Sequence, residues 1–150
     1  MLSGVTDLET LWIERACARL IVDYTHWVDF GDAARVADLF APDGIWEVGE
    51  TRFEGRDSVR DMLRGRQQMA GRRSRHVCTN LAVDVIDKDH ATGLVYLTLY
   101  RYDFATGEAS EGLAPAGPPL AVGQYRDRFV RTEEGWRFAL RRAELAFGNL

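Results

Sequence analysis

The hydrophobic period of this chain changes once, near residue 76, and that change restricts its fold more than any other feature. Before it, Ile13, Cys17, Leu20, Tyr24 and Val28 recur three or four positions apart, the interval of one helical face. Thr6-Asp7-Leu8-Glu9 has capping-box spacing and starts that helix, and Gly31 ends it. Asp32 is placed to N-cap a short second helix over 33–40, closed by Pro42. Asp43-Gly44 then reads as a turn, Ile45 to Val48 and Thr51 to Phe53 as short strands, and Gly55-Arg56-Asp57-Ser58 as the start of a third helix reaching about Met69. From His76 onward the period falls to two. Val77, Leu81, Val83 and Val85 alternate with small or polar residues, and Thr92 to Tyr102 is rich in β-branched and aromatic types. Asp87 to His90 forms the turn between these strands, and Thr132-Glu133-Glu134-Gly135 joins two more, Leu120 to Arg131 and Trp136 to Phe147. Helices first and long hairpins afterwards predict an α+β domain, with helices on one face of a strongly bent antiparallel sheet and a cone of space between them.

At 150 residues the chain has room for one such domain, over 1–150, and not for two. A composition 46% hydrophobic and 28% charged supports a packed core and excludes native disorder. The formal net charge of −4 argues against nucleic acid as a partner, because such affinity comes mostly from Lys and Arg displacing counterions from phosphates. No stretch approaches the roughly 20 apolar residues of a membrane span, and Met1 to Thr10 lacks the basic start and apolar run of a signal peptide. A cytoplasmic location and no membrane association are the expectations. Cys17 and Cys78 are read as buried reduced thiols without metal-ligand spacing. Neither a phosphate loop, a serine nucleophile elbow nor a His-x-x-x-His pair is present, so nothing calls for a cofactor or a metal. The run Arg64, Arg66, Arg72, Arg73, Arg75 reads as a solvated basic face. Residues 105–119, with three of the four prolines and three glycines, form a long connection that could cover a pocket mouth.

Two residues point to proton transfer. Asp29 lies whole helical turns from Val22, Ala18 and Leu11, so a carboxylate ends an apolar row. There it can be raised in pKa by desolvation, stay ionised and hold an imidazole, or serve only to finish the helix. His76 shares a strand face with Cys78, Asn80 and Ala82, opposite Val77, Thr79, Leu81 and Val83, and that mixed face borders either solvent or a cavity. His26 falls with Arg15, Arg19 and Asp23 on the charged side of the helix, and Asp32 is spoken for as a cap. Tyr24 and Trp46 are core aromatics that could also line a pocket.

Segments 24–32, 39–46, 53–57, 75–81, 123–130 and 135–138 together resemble the SnoaL-like branch of the nuclear transport factor 2-like superfamily. The resemblance implies a cone-shaped α+β barrel: three N-terminal helices on a strongly bent, mixed but mostly antiparallel sheet around a deep pocket. Within the branch the likeness is to scytalone dehydratase, bile acid 7-alpha-dehydratase and hexachlorocyclohexane dehydrochlorinase, all lyases that need no cofactor. Their Asp-His dyad matches Asp29 and His76 here, Trp46 looks like a pocket tryptophan, and Tyr24 looks like a catalytic tyrosine. Val28 and Val48 stand where scytalone dehydratase has tyrosines, and neutral Thr98 and Leu99 where the bile acid enzyme has an acid, which argues against either substrate. The implied cavity includes Phe40, Cys78, Tyr96, Tyr100 and Arg141 beside Tyr24 and Trp46. The expected activity is a dehydratase-like lyase acting on a small hydrophobic cyclic or polyketide-like substrate, in a homo-oligomer of two or three chains. The same pocket would suit an isomerase or a polyketide cyclase, and the fold also serves non-catalytic ligand-binding modules and oxygenase subunits.

Overall fold

Nine elements follow one another in a computed structural model that describes residues 4–108 and 110–148: α1 (Asp7–Asp29), a 3-10 helix (Ala33–Leu39), β1 (Phe40–Val48), β2 (Thr51–Glu54), α2 (Arg56–Gln67), β3 (Arg72–Val85), β4 (His90–Asp103), β5 (Ala121–Thr132) and β6 (Gly135–Gly148). The capping box closes as the spacing predicts. The Thr6 hydroxyl accepts from the Glu9 N–H at 3.3 Å, and the Glu9 carboxylate accepts from the Thr6 N–H at 2.9 Å. Ile13, Cys17, Leu20, Ile21, Tyr24 and Val28 form the buried stripe of α1, and Gly31, at φ 92°, supplies the left-handed residue that ends it.

The next segment departs from expectation. Asp32 occupies the N-cap position but makes no capping hydrogen bond, its carboxylate lying instead 3.6 Å from Arg35. Pro42 does not close the helix, and Asp43-Gly44 is not a turn, because β1 already begins at Phe40. A register shift between Phe40 and Ile45 in the pairing with β6 absorbs the proline, which has no N–H to give to a ladder.

The strands lie in the order β2-β1-β6-β5-β4-β3, parallel between β1 and β6 and antiparallel elsewhere. The sheet is curved but not closed, with β2 and β3 at its edges. Phe40, Phe129 and Phe138 are fully buried, the outer two rings 5.2 and 5.3 Å from Phe138. In β3, Asn80 takes φ 55° at a register shift between Thr79 and Ala82. The expected unbroken alternation therefore fails there. His76 and Cys78 face inward before the bulge, and Val83 and Val85, not Ala82, face inward after it.

No described residue of the connection after β4 lines the cavity described below. Arg73 donates to the carbonyls of Ser110 at 2.7 Å and Gly112 at 2.6 Å, and Ala114 to Pro118 lie with Arg73, Arg75, Tyr100 and Tyr102 along the outer side of β3 and β4. Ala109 of this connection lies outside the described residues, as do residues 1–3 and 149–150. No helix among the described residues is long and apolar enough to cross a membrane.

Gly123 marks the closest approach within the sheet, at a register shift between β5 and β6. A Cβ there would sit 2.1 Å from the Glu144 carbonyl oxygen and 2.8 Å from the Leu145 Cα, atoms that cannot swing aside. Gly123→Ala should therefore lower stability by about 1–3 kcal/mol in urea unfolding. Gly117→Ala, with no atom within 4 Å, should stay within about 0.5 kcal/mol of the parent. Equal stability of the two variants would contradict this packing.

Candidate active site

Asp29 is the last residue of α1, and β3 runs past that end with its inner face toward it. The side chains of Asp29 and His76 are 5% and 8% exposed, and Asp29 Oδ1 lies 2.6 Å from His76 Nδ1. Oδ1 also accepts from the Ser74 hydroxyl at 2.8 Å, and Oδ2 accepts from the His76 backbone N–H at 2.8 Å. A carboxylate at a helix C-terminus meets the negative end of the helix dipole, so these three donors are what hold it there. Burial acts to raise the Asp29 carboxyl, but the bond and charge of the His76 ring, the His76 N–H and the Ser74 hydroxyl outweigh it and leave it below the usual value. An ionised carboxylate can only accept. In the neutral ring the hydrogen must therefore sit on Nδ1, which leaves Nε2 with its lone pair free. Ser74 is itself positioned: Arg66 Nη2 donates to its Oγ at 3.2 Å and to the Val28 carbonyl at 3.4 Å, placing a cation at the end of α1.

The imidazole opens on a cavity of about 480 Å³ walled mainly by Tyr24, Val28, Trp46, Val48, Met62, Leu97, Leu99, Tyr125, Ala143 and Leu145. Apolar walls with a few convergent polar groups are the usual make-up of a small-molecule site. The Tyr24 ring lies 6.3 Å from the imidazole at 85° and 5.7 Å from Tyr125. Burial raises the Tyr24 phenol above its ordinary value, so it remains protonated and able to donate. Trp46 stacks on Phe53 at 5.7 Å, and its buried Nε1 has no protein partner among the described residues.

Of the side chains predicted from sequence, the fold gathers Asp29, His76, Tyr24 and Trp46 at this cavity. The others lie elsewhere. Tyr96 and Tyr100, 50% and 44% exposed, point to the outer side of β4, because alternation turns Leu97, Leu99 and Arg101 inward. Phe40 is spent in the core against Phe138. Cys78 faces inward but packs on the core rather than the cavity wall, and burial pushes its thiol up to about 11. Both cysteines are free, with the fully buried Cys17 thiol pushed up to about 12. Arg141 lies beneath the cavity, not in its wall. It is fully buried, paired with Asp127, and its guanidinium carbon is 3.7 Å from the Tyr125 ring centroid and 4.2 Å from that of Tyr24.

Sequence reasoning missed Ser74, Tyr125, Arg101 and Arg66. Ser74 and Arg101 share the inward faces of their strands with His76 and Leu99. Arg66 belongs to a basic run expected to be solvated, yet it falls one turn after Met62 on the packed side of α2, and Arg72 also lines the cavity. No group of three or more His, Cys, Asp or Glu among the described residues is arranged to hold a metal ion.

Helices laid over the concave face of an unclosed mixed sheet, around a cavity at the end of the first helix, define the nuclear transport factor 2-like class, and a solved protein of that class with a cystatin-like fold aligns over 99% of this chain and 94% of its own at TM-score 0.72 and 23% identity. The sequence model of the SnoaL-like domain matches residues 9–142, and the chain belongs to that family. A variant of Rv3472 from Mycobacterium tuberculosis, a protein of unknown function, is 25% identical with TM-score 0.72 over 95% of this chain and 78% of that one. A candidate scytalone dehydratase from Novosphingobium aromaticivorans is 21% identical with TM-score 0.78, covering 95% and 89%. Hexachlorocyclohexane dehydrochlorinase LinA-type3 from Novosphingobium barchaimii LL02 is 18% identical with TM-score 0.76, covering 96% and 93%. No significant match is found among curated protein sequences.

The bonds around Asp29 fix the sign of one pH effect. An unfolded Asp titrates near about 3.9, and the folded value lies lower, so Asp29 contributes its stability fully above about pH 4 and loses it as pH falls through the folded value. In urea unfolding below about pH 4, the stability difference between the parent and Asp29→Asn should therefore shrink as pH falls. A difference that grew over that acid range would contradict the assignment.

Proposed function

We propose that the protein is a lyase of the dehydratase type, needing no cofactor and acting on a hydrophobic cyclic or polyketide-like molecule in this cavity. The observation that carries the reading is the buried Asp29–His76 pair, with Nδ1 engaged at 2.6 Å and the imidazole forming part of an otherwise apolar wall. Family membership adds to it, and two of the similar structures are named for eliminations, of water and of hydrogen chloride.

His76 Nε2 takes a proton from the carbon beside a carbonyl. The C–H electron pair forms the new double bond as the C–O bond to the departing hydroxyl breaks, and the imidazolium returns its proton to that oxygen, so that water leaves and the base is restored. Asp29 keeps the imidazole in its reactive tautomer and stabilises the imidazolium. Tyr24 donates to the oxyanion that develops on the carbonyl, and the apolar walls strengthen that bond by excluding water. The neutral Val28 and Val48 in the wall leave shape and apolar contact, rather than further hydroxyls, to select the ring system.

In a screen of cyclic β-hydroxy ketones followed by loss of water, Asp29→Asn should keep the fold and lower kcat by about 10²–10⁴, with a similar loss in His76→Ala. Tyr24→Phe should lower kcat by about 10²–10³. Full turnover in Asp29→Asn would remove the pair from the chemistry.

A further inference from the structure

One end of the cavity carries more positive charge than the protein neutralises. Along the inner faces of β3 and β4 three cross-strand pairs follow in order: Arg72 opposite Asp103, Ser74 opposite Arg101, and His76 opposite Leu99. Arg72, Arg101 and, from α2, Arg66 line the cavity there. Arg72 is answered by Asp103, to which it donates at 2.8 and 3.0 Å. Asp29 is engaged with His76 and Ser74. Arg66 and Arg101 have no carboxylate partner among the described residues. Among the described residues, Arg66 donates only to the neutral oxygens of Ser74 and Val28, and the Arg101 guanidinium donates to no acceptor. The Nε atoms of both are buried and unpaired. Burial and the neighbouring charge of Arg72 each disfavour the cationic forms. Arginine does not shed its proton to escape such a cost, so an anionic group entering the cavity would relieve it.

We propose that the substrate carries a carboxylate, held by Arg66 and Arg101, while its apolar body lies over Leu97 and Leu99 with the reacting carbon at His76 Nε2. The proposal rests on the reading of His76 as the base and names the substrate class for that site. The planar guanidinium fork matches two carboxylate oxygens. Arg66 sits in the last turn of α2, whose dipole presents its negative end, so the site suits a single negative charge rather than a phosphate dianion. The Arg101 and His76 cross-strand pairs are two residues apart, about 7 Å along the strand, which separates the anchored head group from the carbon that reacts.

Binding of 2-naphthoate and of its neutral isostere 2-naphthamide, followed by calorimetry, tests this without turnover. The parent should bind the carboxylate at least about tenfold more tightly. Arg101→Met should bring the two affinities to within about threefold of each other by weakening the naphthoate alone, and Arg101→Lys should keep part of the preference. Equal affinities in the parent, no binding of either probe, or an unchanged preference in Arg101→Met overturns the proposal. The parent comparison stands even if Arg101→Met fails to fold. A carboxylate preference with full turnover in Asp29→Asn would retain the head-group site and reject the base. No preference, with turnover lost in Asp29→Asn, would reject the head-group site alone.

Discussion

One carboxylate ties the end of α1 to the middle of β3, and the site depends on that tie. Asp29 receives the Ser74 hydroxyl, the His76 backbone N–H and the His76 ring, so a single side chain sets the approach of helix to strand and the orientation of the imidazole. The three bonds also overcome what opposes a charge there, namely burial and the negative end of the helix dipole. Arg66 supports the arrangement from α2 through Ser74 and the Val28 carbonyl, and the last turns of both helices thereby converge on one strand.

Beneath the cavity, a second charged group is held in the opposite manner. Asp127 and Arg141 face each other directly across β5 and β6, both fully buried, with Arg141 Nη2 donating at 3.2 Å. Burial pushes the Asp127 carboxyl up to about 6 against the pull of Arg141, so at neutral pH the pair stays ionised. For Arg141 burial works against the charge, but Asp127 and the stacked Tyr125 and Tyr24 more than restore it. A buried pair of this kind adds little net stability, because desolvation consumes most of the attraction, whereas removing one partner strands the other. Its consequence here is positional. The guanidinium fixes the rings of Tyr24 and Tyr125 from below, and the Tyr24 ring in turn stands edge-on to the His76 imidazole.

What the sequence disclosed and what it hid divide along physical lines. Periodicity placed Asp29 at the end of an apolar row and His76 on a mixed strand face, but their contact depends on how α1 crosses β3, which no local pattern encodes. The family resemblance implies Tyr96 and Tyr100 in the cavity. The alternation of Val95, Leu97 and Leu99, all buried, already assigned the other face of β4 to the interior. Arg66 was hidden by its basic neighbours, although Val59, Met62 and Leu63 place position 66 on the inward side of α2. The β3 bulge had only a faint mark, an Asn at position 80, the residue type other than Gly that most readily takes positive φ. Pro42 looked like a helix stop because ladder-breaking and helix-breaking share one cause, a missing N–H.

Asp29 fixes the His76 imidazole with its hydrogen on Nδ1 and its lone pair on Nε2, facing the cavity. Nitrogen-15 NMR of the histidine ring, recorded where the ring is neutral, measures this directly. The parent protein should show the Nδ1–H tautomer and Asp29→Asn should lose it, because an amide can donate to Nδ1 instead. An Nε2–H tautomer in the parent, or the same tautomer in both proteins, would contradict it.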